Sequence, residues 1–211
     1  DICFEHMLDY IKPGMKVVCV PFASEIHWQI NGDFTQYKNQ HFQVFESFGV
    51  NEEDISIVRL SMKRREIIRM LKEADIIFFS GGHMENLLYL IKSLNLGIVL
   101  EYTKNRKLFI GESAGALALL DKYMEVPYIE DSYKEYKEQT GLKFITDFNI
   151  IVHYNDWDER HRRNKEVVDS MNDRFINDLN NSYGLVVFDN VNKCKDLELF
   201  NYIKTNKVII C

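Results

Sequence analysis

Residues 107–120 read KLFIGESAGALALL, an apolar run, a serine flanked by glycines, and a second apolar run. The first run, Lys107–Ile110, has the length and composition of a buried strand, and the second, Ala116–Leu120, is typical of a buried helix. A strand that leads directly into a helix is the repeating unit of a parallel α/β sheet. The stretch therefore predicts an α/β fold with a tight turn at Gly111–Gly115.

The same alternation of apolar runs and amphipathic stretches recurs along the chain. The other predicted strands are rich in Val, Ile and Phe, as strands buried on both faces are: Lys16–Pro21, Ile55–Leu60, Ile76–Ser80, Phe148–Val152 and Gly184–Phe188. Helical patterns cover about 34–48, 63–73, 84–103, 114–121 and 158–179. We expect a three-layer, mostly parallel, doubly wound sheet. Leu197–Ile203 and Lys207–Ile210 flank a polar turn and predict a C-terminal antiparallel hairpin at the sheet edge.

Length and composition limit the possible classes of protein. The 211 residues fit a single domain over 1–211, and because the chain begins at Asp1, a further N-terminal strand is an open alternative. A net charge of -6 gives no basic surface for nucleic acid, and no apolar run is long enough for a membrane span. The four cysteines lack the spacing of metal or redox sites, which favours free thiols in a cytoplasmic protein without metal or cofactor. We expect a monomer or a homodimer.

One long segment, Lys122–Leu142, shows neither pattern and is aromatic and charged. Loops of this length are often lids or specificity elements. A surface helix through Ser132–Gln139 is the alternative.

The turn contains the pattern Gly-x-Ser-x-Gly, centred on Ser113. Between a strand and a helix, this pattern places a serine Oγ above the sheet, and the flanking glycines relieve crowding in the turn. The backbone N–H groups at the helix start then face an oxyanion formed beside the serine. Ser113 is therefore the candidate nucleophile, and the alternative is a serine that only caps the helix.

A second glycine turn, Gly81–Gly82, follows the predicted strand Ile76–Ser80. Turns at the carboxyl ends of parallel strands collect where ligands bind. We expect this turn to present a backbone N–H group to a substrate oxygen, as the second half of an oxyanion hole alongside the Ala114 N–H. Gly81 and His83 are candidate substrate contacts. A phosphate-binding loop is the alternative, but the Lys-Ser/Thr ending of such loops is absent.

The nucleophile needs a base and an acid. His153 follows the predicted strand Phe148–Val152 at its carboxyl end, which predicts that it lies on the same rim as Ser113. His83 is the reserve base, whereas the positions of His6, His41 and His161 in polar helical patterns are typical of surface residues. Asp189 follows the strand Gly184–Phe188 and is the first candidate for the acid, with Asp156 as the second.

These motifs together resemble the peptidase E (S51) family, which contains aspartyl dipeptidase and cyanophycinase. The residues that carry the resemblance keep the family's order: Phe78–Gly82, Asn86–Leu88, Gly111–Ala116, His153–Tyr154 and Gly184–Asp189. It implies a flavodoxin-like or class I glutamine-amidotransferase-like sheet and serine peptidase chemistry through Ser113 and His153. It also implies that the backbone N–H groups of Gly82 and Ala114 form the oxyanion hole. The family's third catalytic residue is usually a glutamate where this chain has Asp189, and His83 stands where the family often has Asn or Asp.

The resemblance implies a small peptide as the substrate, a dipeptide or a short chain. Arg160, at the start of the predicted helix after His153, is a candidate to bind a substrate carboxylate. An esterase of the α/β-hydrolase fold is disfavoured, because its triad runs in the order serine, acid, histidine. A binding or regulatory protein that keeps the fold without turnover is the alternative from a different class.

Overall fold

The computed structural model describes residues 7–24, 33–125, 137–145, 148–151, 184–187 and 208–210. The chain divides into two compact units, Asp1–Ala116 with Asp196–Cys211, and Leu117–Lys195. The strands are β1 (Val17–Val20), β2 (Ile55–Ile57), β3 (Ile76–Phe79), β4 (Leu108–Gly111), β5 (Lys122–Glu125), β6 (Lys137–Thr140), β7 (Phe148–Ile151), β8 (Gly184–Val187) and β9 (Val208–Ile210). The helices are α1 (Thr35–Glu46), α2 (Arg64–Glu73), α3 (Met84–Ser93), α4 (Gly97–Thr103) and α5 (Ala114–Ala118).

The first unit contains a parallel sheet with the strand order β2-β1-β3-β4-β9. The strands β1, β3 and β4 are buried at every position, whereas β2 alternates between buried and exposed residues. Continuous burial explains why the apolar runs of the sequence predicted these strands correctly. The α/β class with a mostly parallel sheet is therefore confirmed.

The strand order reverses direction at β1, because β2 lies on one side of it and β3 on the other. With right-handed crossovers, such a reversal puts helices on both faces of the sheet. Adjacent residues of β3 fit this arrangement. The ring centroid of Phe78 lies 5.5 Å from that of Phe45 on α1. The ring of Phe79 stacks instead on that of Phe109 of β4, with 6.2 Å between the centroids. In doubly wound folds ligands usually bind at such a reversal, which lies here at the carboxyl ends of β1 and β3.

The helix predicted over 84–103 is two helices, α3 and α4, separated by a sharp turn. Asn95 takes a left-handed conformation with φ of 49°, which ends α3. The Arg64 side chain donates hydrogen bonds to the carbonyl oxygens of Leu94 and Asn95, at 2.6 and 2.9 Å. The apolar residues continue through the turn, so the sequence pattern alone did not reveal the break.

The second unit contains two strand pairs. β5 and β6 pair with each other in antiparallel orientation. The segment Lys122–Leu142 therefore begins with one strand and has a second strand near its end. Residues 126–136, between the two strands, lie outside the described residues. The alternative of a helix through Ser132–Gln139 is wrong at 137–139, which belong to β6. β7 and β8 confirm two predicted strands and pair with each other in parallel.

At the C-terminus, β9 confirms the last predicted strand and pairs in parallel with β4. The other arm of the predicted hairpin, Leu197–Ile203, lies outside the described residues. The predicted helix over 158–179 lies outside them as well. In the ranges that the structure describes, no helix has the length and apolar character needed to cross a membrane.

Candidate active site

Ser113 lies in a strained turn between β4 and α5. Its φ is 49°, a left-handed conformation that residues other than glycine rarely adopt. The turn is fixed by hydrogen bonds from Glu112 N–H to Phe79 O (3.0 Å), from Gly115 N–H to Glu112 O (2.8 Å) and from Ala116 N–H to Ser113 O (2.9 Å). Strain of this kind collects at functional sites, and a strand–serine–helix turn with this conformation has the geometry of a nucleophile elbow.

The two glycines of the elbow have no room for a side chain. A Cβ on Gly111 would lie 2.6 Å from Gly115 O, and a Cβ on Gly115 would lie 2.0 Å from Phe79 O. Both contacts are to backbone atoms, which cannot move aside as a flexible side chain can. Crowding by backbone atoms therefore explains why glycine stands at both ends of the Gly-x-Ser-x-Gly pattern, as the sequence predicts.

We predict that Gly115→Ala destabilises the protein by about 3 kcal/mol or more, because the added methyl group must displace the β3 backbone. Gly97→Ala is the matched control, since a Cβ at this α4 position meets no atom within 4 Å. That variant should be unchanged or more stable by up to about 1 kcal/mol. Urea unfolding measures both free energies, and equal stabilities of the two variants would contradict the steric account.

The second glycine turn is packed against the loop that follows β1. Gly82 has a φ of 132°, and a Cβ on it would lie 2.2 Å from Ala23 O. The next residue, His83, donates its backbone N–H to the same Ala23 oxygen at 2.7 Å. The turn is thereby held at the topological reversal of the sheet, where the fold favours ligand binding.

The two turns lie against each other. A Cβ on Gly81 would lie 3.2 Å from Ser113 Cβ, so this glycine borders the serine side chain. The backbone N–H groups of Gly82 and Ala114 make no hydrogen bond to another residue of the described ranges. Their role in an oxyanion hole stays a prediction.

Next to Ser113, the Glu112 carboxylate contacts the turn and a histidine. Its Oε2 atom accepts a long hydrogen bond from Gly81 N–H at 3.4 Å and lies 3.6 Å from His41 Nδ1. The Glu112 side chain is 43% exposed, and that of His41 is 17% exposed. A partly buried imidazole therefore faces the elbow from α1.

The interpretation of His41 as a surface residue is wrong. The centroid of the His41 ring lies 4.3 Å from that of the Tyr37 ring and 5.3 Å from that of the Phe78 ring. Burial lowers the pKa of His41 below its ordinary 6.5, an effect that the Glu112 carboxylate partly offsets, so the ring is mainly uncharged at neutral pH. The spacing of Tyr37, His41 and Phe45, four residues apart on one helix face, is the signal that could have located it.

A buried polar group lies behind the second turn. The Tyr37 hydroxyl lies near the Cys19 thiol and the Ser80 hydroxyl, and within the described ranges neither Tyr37 nor Ser80 makes a well-aligned hydrogen bond with its hydroxyl. Burial raises the pKa of Cys19 to about 12 and that of Tyr37 well above 10. Cys19 therefore remains a protonated thiol, which excludes it as a nucleophile at neutral pH.

Several residues of the predicted site lie outside the described residues: His153, Asp189, Asp156 and Arg160. The structure brings together Ser113, Gly81 and Glu112, and it places His83 as an exposed residue at the start of α3. Among the described residues, no group of three His, Cys, Asp or Glu side chains is arranged to hold a metal ion.

Comparison with known proteins identifies the family. The profile of Peptidase family S51 matches residues 2–192, which is most of the chain. The chain belongs to peptidase family S51. A relative, the uncharacterized peptidase Lmo0363 of Listeria monocytogenes serovar 1/2a (strain ATCC BAA-679 / EGD-e), is 31% identical over 147 residues that cover 67% of each protein. The resemblance derived from the sequence motifs is thereby confirmed.

Two solved structures have a similar fold. One is a protein of Listeria monocytogenes EGD-e provisionally assigned as a peptidase E, with a TM-score of 0.60 and 22% identity over 89% of this chain and 85% of that one. The other is a peptidase from an acI-B1 Actinobacterium, with a TM-score of 0.53 and 20% identity over 77% of this chain and 68% of that one. At these identities the likeness concerns the fold, and membership of family S51 supports a peptidase function.

Proposed function

We propose that this chain is a serine-type peptidase that hydrolyses dipeptides or short peptides, with Ser113 as its nucleophile. The observation that carries the proposal is the left-handed conformation of Ser113 at a strand–helix turn with no room for side chains at Gly111 and Gly115. Membership of family S51 supports the same chemistry. A cytoplasmic location is part of the proposal and rests on the cysteine spacing in the sequence.

In this mechanism, Ser113 Oγ attacks the substrate carbonyl carbon while His153 accepts the hydroxyl proton. The N–H groups of Gly82 and Ala114 stabilise the oxyanion of the tetrahedral intermediate. His153 then donates its proton to the leaving amine, which leaves an acyl group on Ser113. Water activated by His153 hydrolyses this ester, and Asp189 holds the imidazole in the required tautomer, with Asp156 as the second candidate.

The substrate class is tested by incubating the protein with a panel of dipeptides and tripeptides and with unfolded casein. Chromatography then measures the free amino acids and fragments. We expect hydrolysis of at least some short peptides and much slower cleavage of casein. Rapid cleavage of casein at internal bonds would contradict the proposed substrate class, and the absence of any cleavage would favour a binding protein.

An acidic or carboxylate-bearing peptide needs a cation in the site, and Arg160 is the proposed one. Its planar guanidinium can bind a carboxylate through two parallel hydrogen bonds. Within the same panel, Arg160→Ala should raise KM for peptides with a free carboxylate and leave their amide forms nearly unchanged. Equal effects on both forms would assign Arg160 a structural role.

A further inference from the structure

Glu112 places a negative charge beside the proposed nucleophile, which is unfavourable for the reaction unless a cation joins it. The attack of Ser113 creates a second negative charge on the substrate oxygen, and like charges at close range raise the barrier. Within the described ranges, no Lys or Arg side chain pairs with Glu112. The imidazole of His41, mainly uncharged at neutral pH, does not neutralise it.

The two oxygen atoms of the Glu112 carboxylate differ in their contacts with the described residues. Oε2 makes both contacts, with Gly81 N–H and with His41 Nδ1, whereas Oε1 has no hydrogen-bond partner among the described residues. The Glu112 side chain is also substantially exposed. Both contacts thus use one carboxylate oxygen, and no described residue occupies the other, Oε1.

The spacing between Glu112 and Ser113 suits a particular group of a peptide. A Cβ on Gly81 would lie 3.2 Å from Ser113 Cβ and 3.8 Å from the Glu112 carboxyl carbon. The distance between Ser113 Cβ and the Glu112 carboxyl carbon is therefore at most the sum of these two distances. A reacting carbonyl carbon lies about 3–3.5 Å from its nucleophile. The α-nitrogen of the same residue lies about 2.5 Å from that carbon, because only Cα separates them. An α-ammonium group is thus within reach of Glu112.

We propose that Glu112 binds the free α-ammonium group of the residue whose carbonyl Ser113 attacks. This inference rests on the proposed function and makes it more specific, since it implies cleavage after the first residue of a peptide. The ammonium group would neutralise Glu112 in the complex and remove its unfavourable effect on the oxyanion. A peptide with a blocked amino terminus would bring no cation and would leave that effect in place.

The test uses a reagent that needs no turnover, the diphenyl ester of 1-aminoethylphosphonate, in its free-amine and N-acetylated forms. Ser113 Oγ forms a bond to phosphorus, the bond from phosphorus to one phenoxide breaks, and phenol leaves with the serine proton. Intact-protein mass spectrometry measures the rate of this modification. We expect the wild type to react about tenfold or more faster with the free amine, as suits a charge-assisted contact.

In Glu112→Gln this preference should disappear, because the amide can still accept from Gly81 N–H but carries no charge. The rate with the N-acetylated reagent should rise, because the negative charge beside the developing oxyanion is removed. Glu101→Gln is the matched control, since Glu101 lies on α4, is 57% exposed and pairs with Lys104. It should keep the wild-type preference. A third reagent carries an N-acetyl group and a lysine side chain, so its only ammonium group is on the side chain. It should react as slowly as the other N-acetylated reagent if Glu112 binds the α-ammonium group.

An NMR titration of His41 tests whether the Glu112 carboxylate lies beside the imidazole, as the distance of 3.6 Å between Oε2 and Nδ1 implies. Because Glu112 raises the pKa of His41, its replacement by an uncharged amide should lower that pKa further. The outcomes separate the two proposals. Modification of Ser113 without a preference for the free amine, or a preference that survives in Glu112→Gln, overturns the role of Glu112 alone. No reaction at Ser113 with either reagent overturns the proposed function itself.

Discussion

Ser113→Ala should lower peptide hydrolysis by a factor on the order of 10³ or more and leave the fold intact. The hydroxyl is the attacking group in the proposed mechanism, and the remaining oxyanion hole and binding interactions support only a small residual rate. The fold should persist, because serine and alanine have similar difficulty with a φ of 49° and the turn is held by backbone hydrogen bonds.

The control for this variant is Ser93→Ala. Ser93 ends α3, and its hydroxyl donates to Leu90 O at 3.2 Å within the same helix. Its loss should not change kcat/KM. Steady-state kinetics on the best short peptide measures both variants, and circular dichroism checks their folding. A Ser113→Ala protein that keeps more than about a tenth of the wild-type rate would exclude Ser113 as the nucleophile.

His153→Ala should reduce kcat/KM by a similar factor, on the order of 10³ or more. Without an imidazole, the serine hydroxyl keeps its proton and attacks poorly, and the leaving amine receives no proton. The variant His83→Ala separates this role from that of the reserve base. If His83→Ala loses activity and His153→Ala does not, the assignment of the base must be exchanged.

Two amide substitutions identify the acid that orients the histidine. Asp189→Asn should lower kcat by a factor on the order of 10³, because an amide can favour the wrong imidazole tautomer. Asp156→Asn should have a small effect if Asp156 only serves the local loop. The reverse pattern would make Asp156 the third member of the triad.

The strands and the elbow could be predicted from the sequence because their physical causes are local. A strand buried on both faces must be a continuous apolar run, as β1, β3 and β4 are. The glycines at 111 and 115 follow from crowding within five consecutive residues, which the added Cβ contacts at these positions illustrate.

Other features depend on contacts between distant parts of the chain, which a pattern along the sequence does not record. The break between α3 and α4 is stabilised by Arg64, some thirty residues earlier. The pairing of β5 with β6 joins strands across an intervening segment, and neither strand has a strong apolar alternation. The contact of His41 with Glu112 likewise joins residues far apart in the sequence, although the spacing of His41 on its helix indicates a buried face.

The central claim, that Ser113 is an activated nucleophile, is tested most directly by labelling with a fluorophosphonate and peptide mapping. Such a reagent modifies a serine that is activated by a base and leaves ordinary serines unmodified. The account predicts one adduct per chain, on the peptide that contains Ser113, and its loss in both Ser113→Ala and His153→Ala. An adduct on another residue, or no adduct on a protein that hydrolyses peptides, would contradict it.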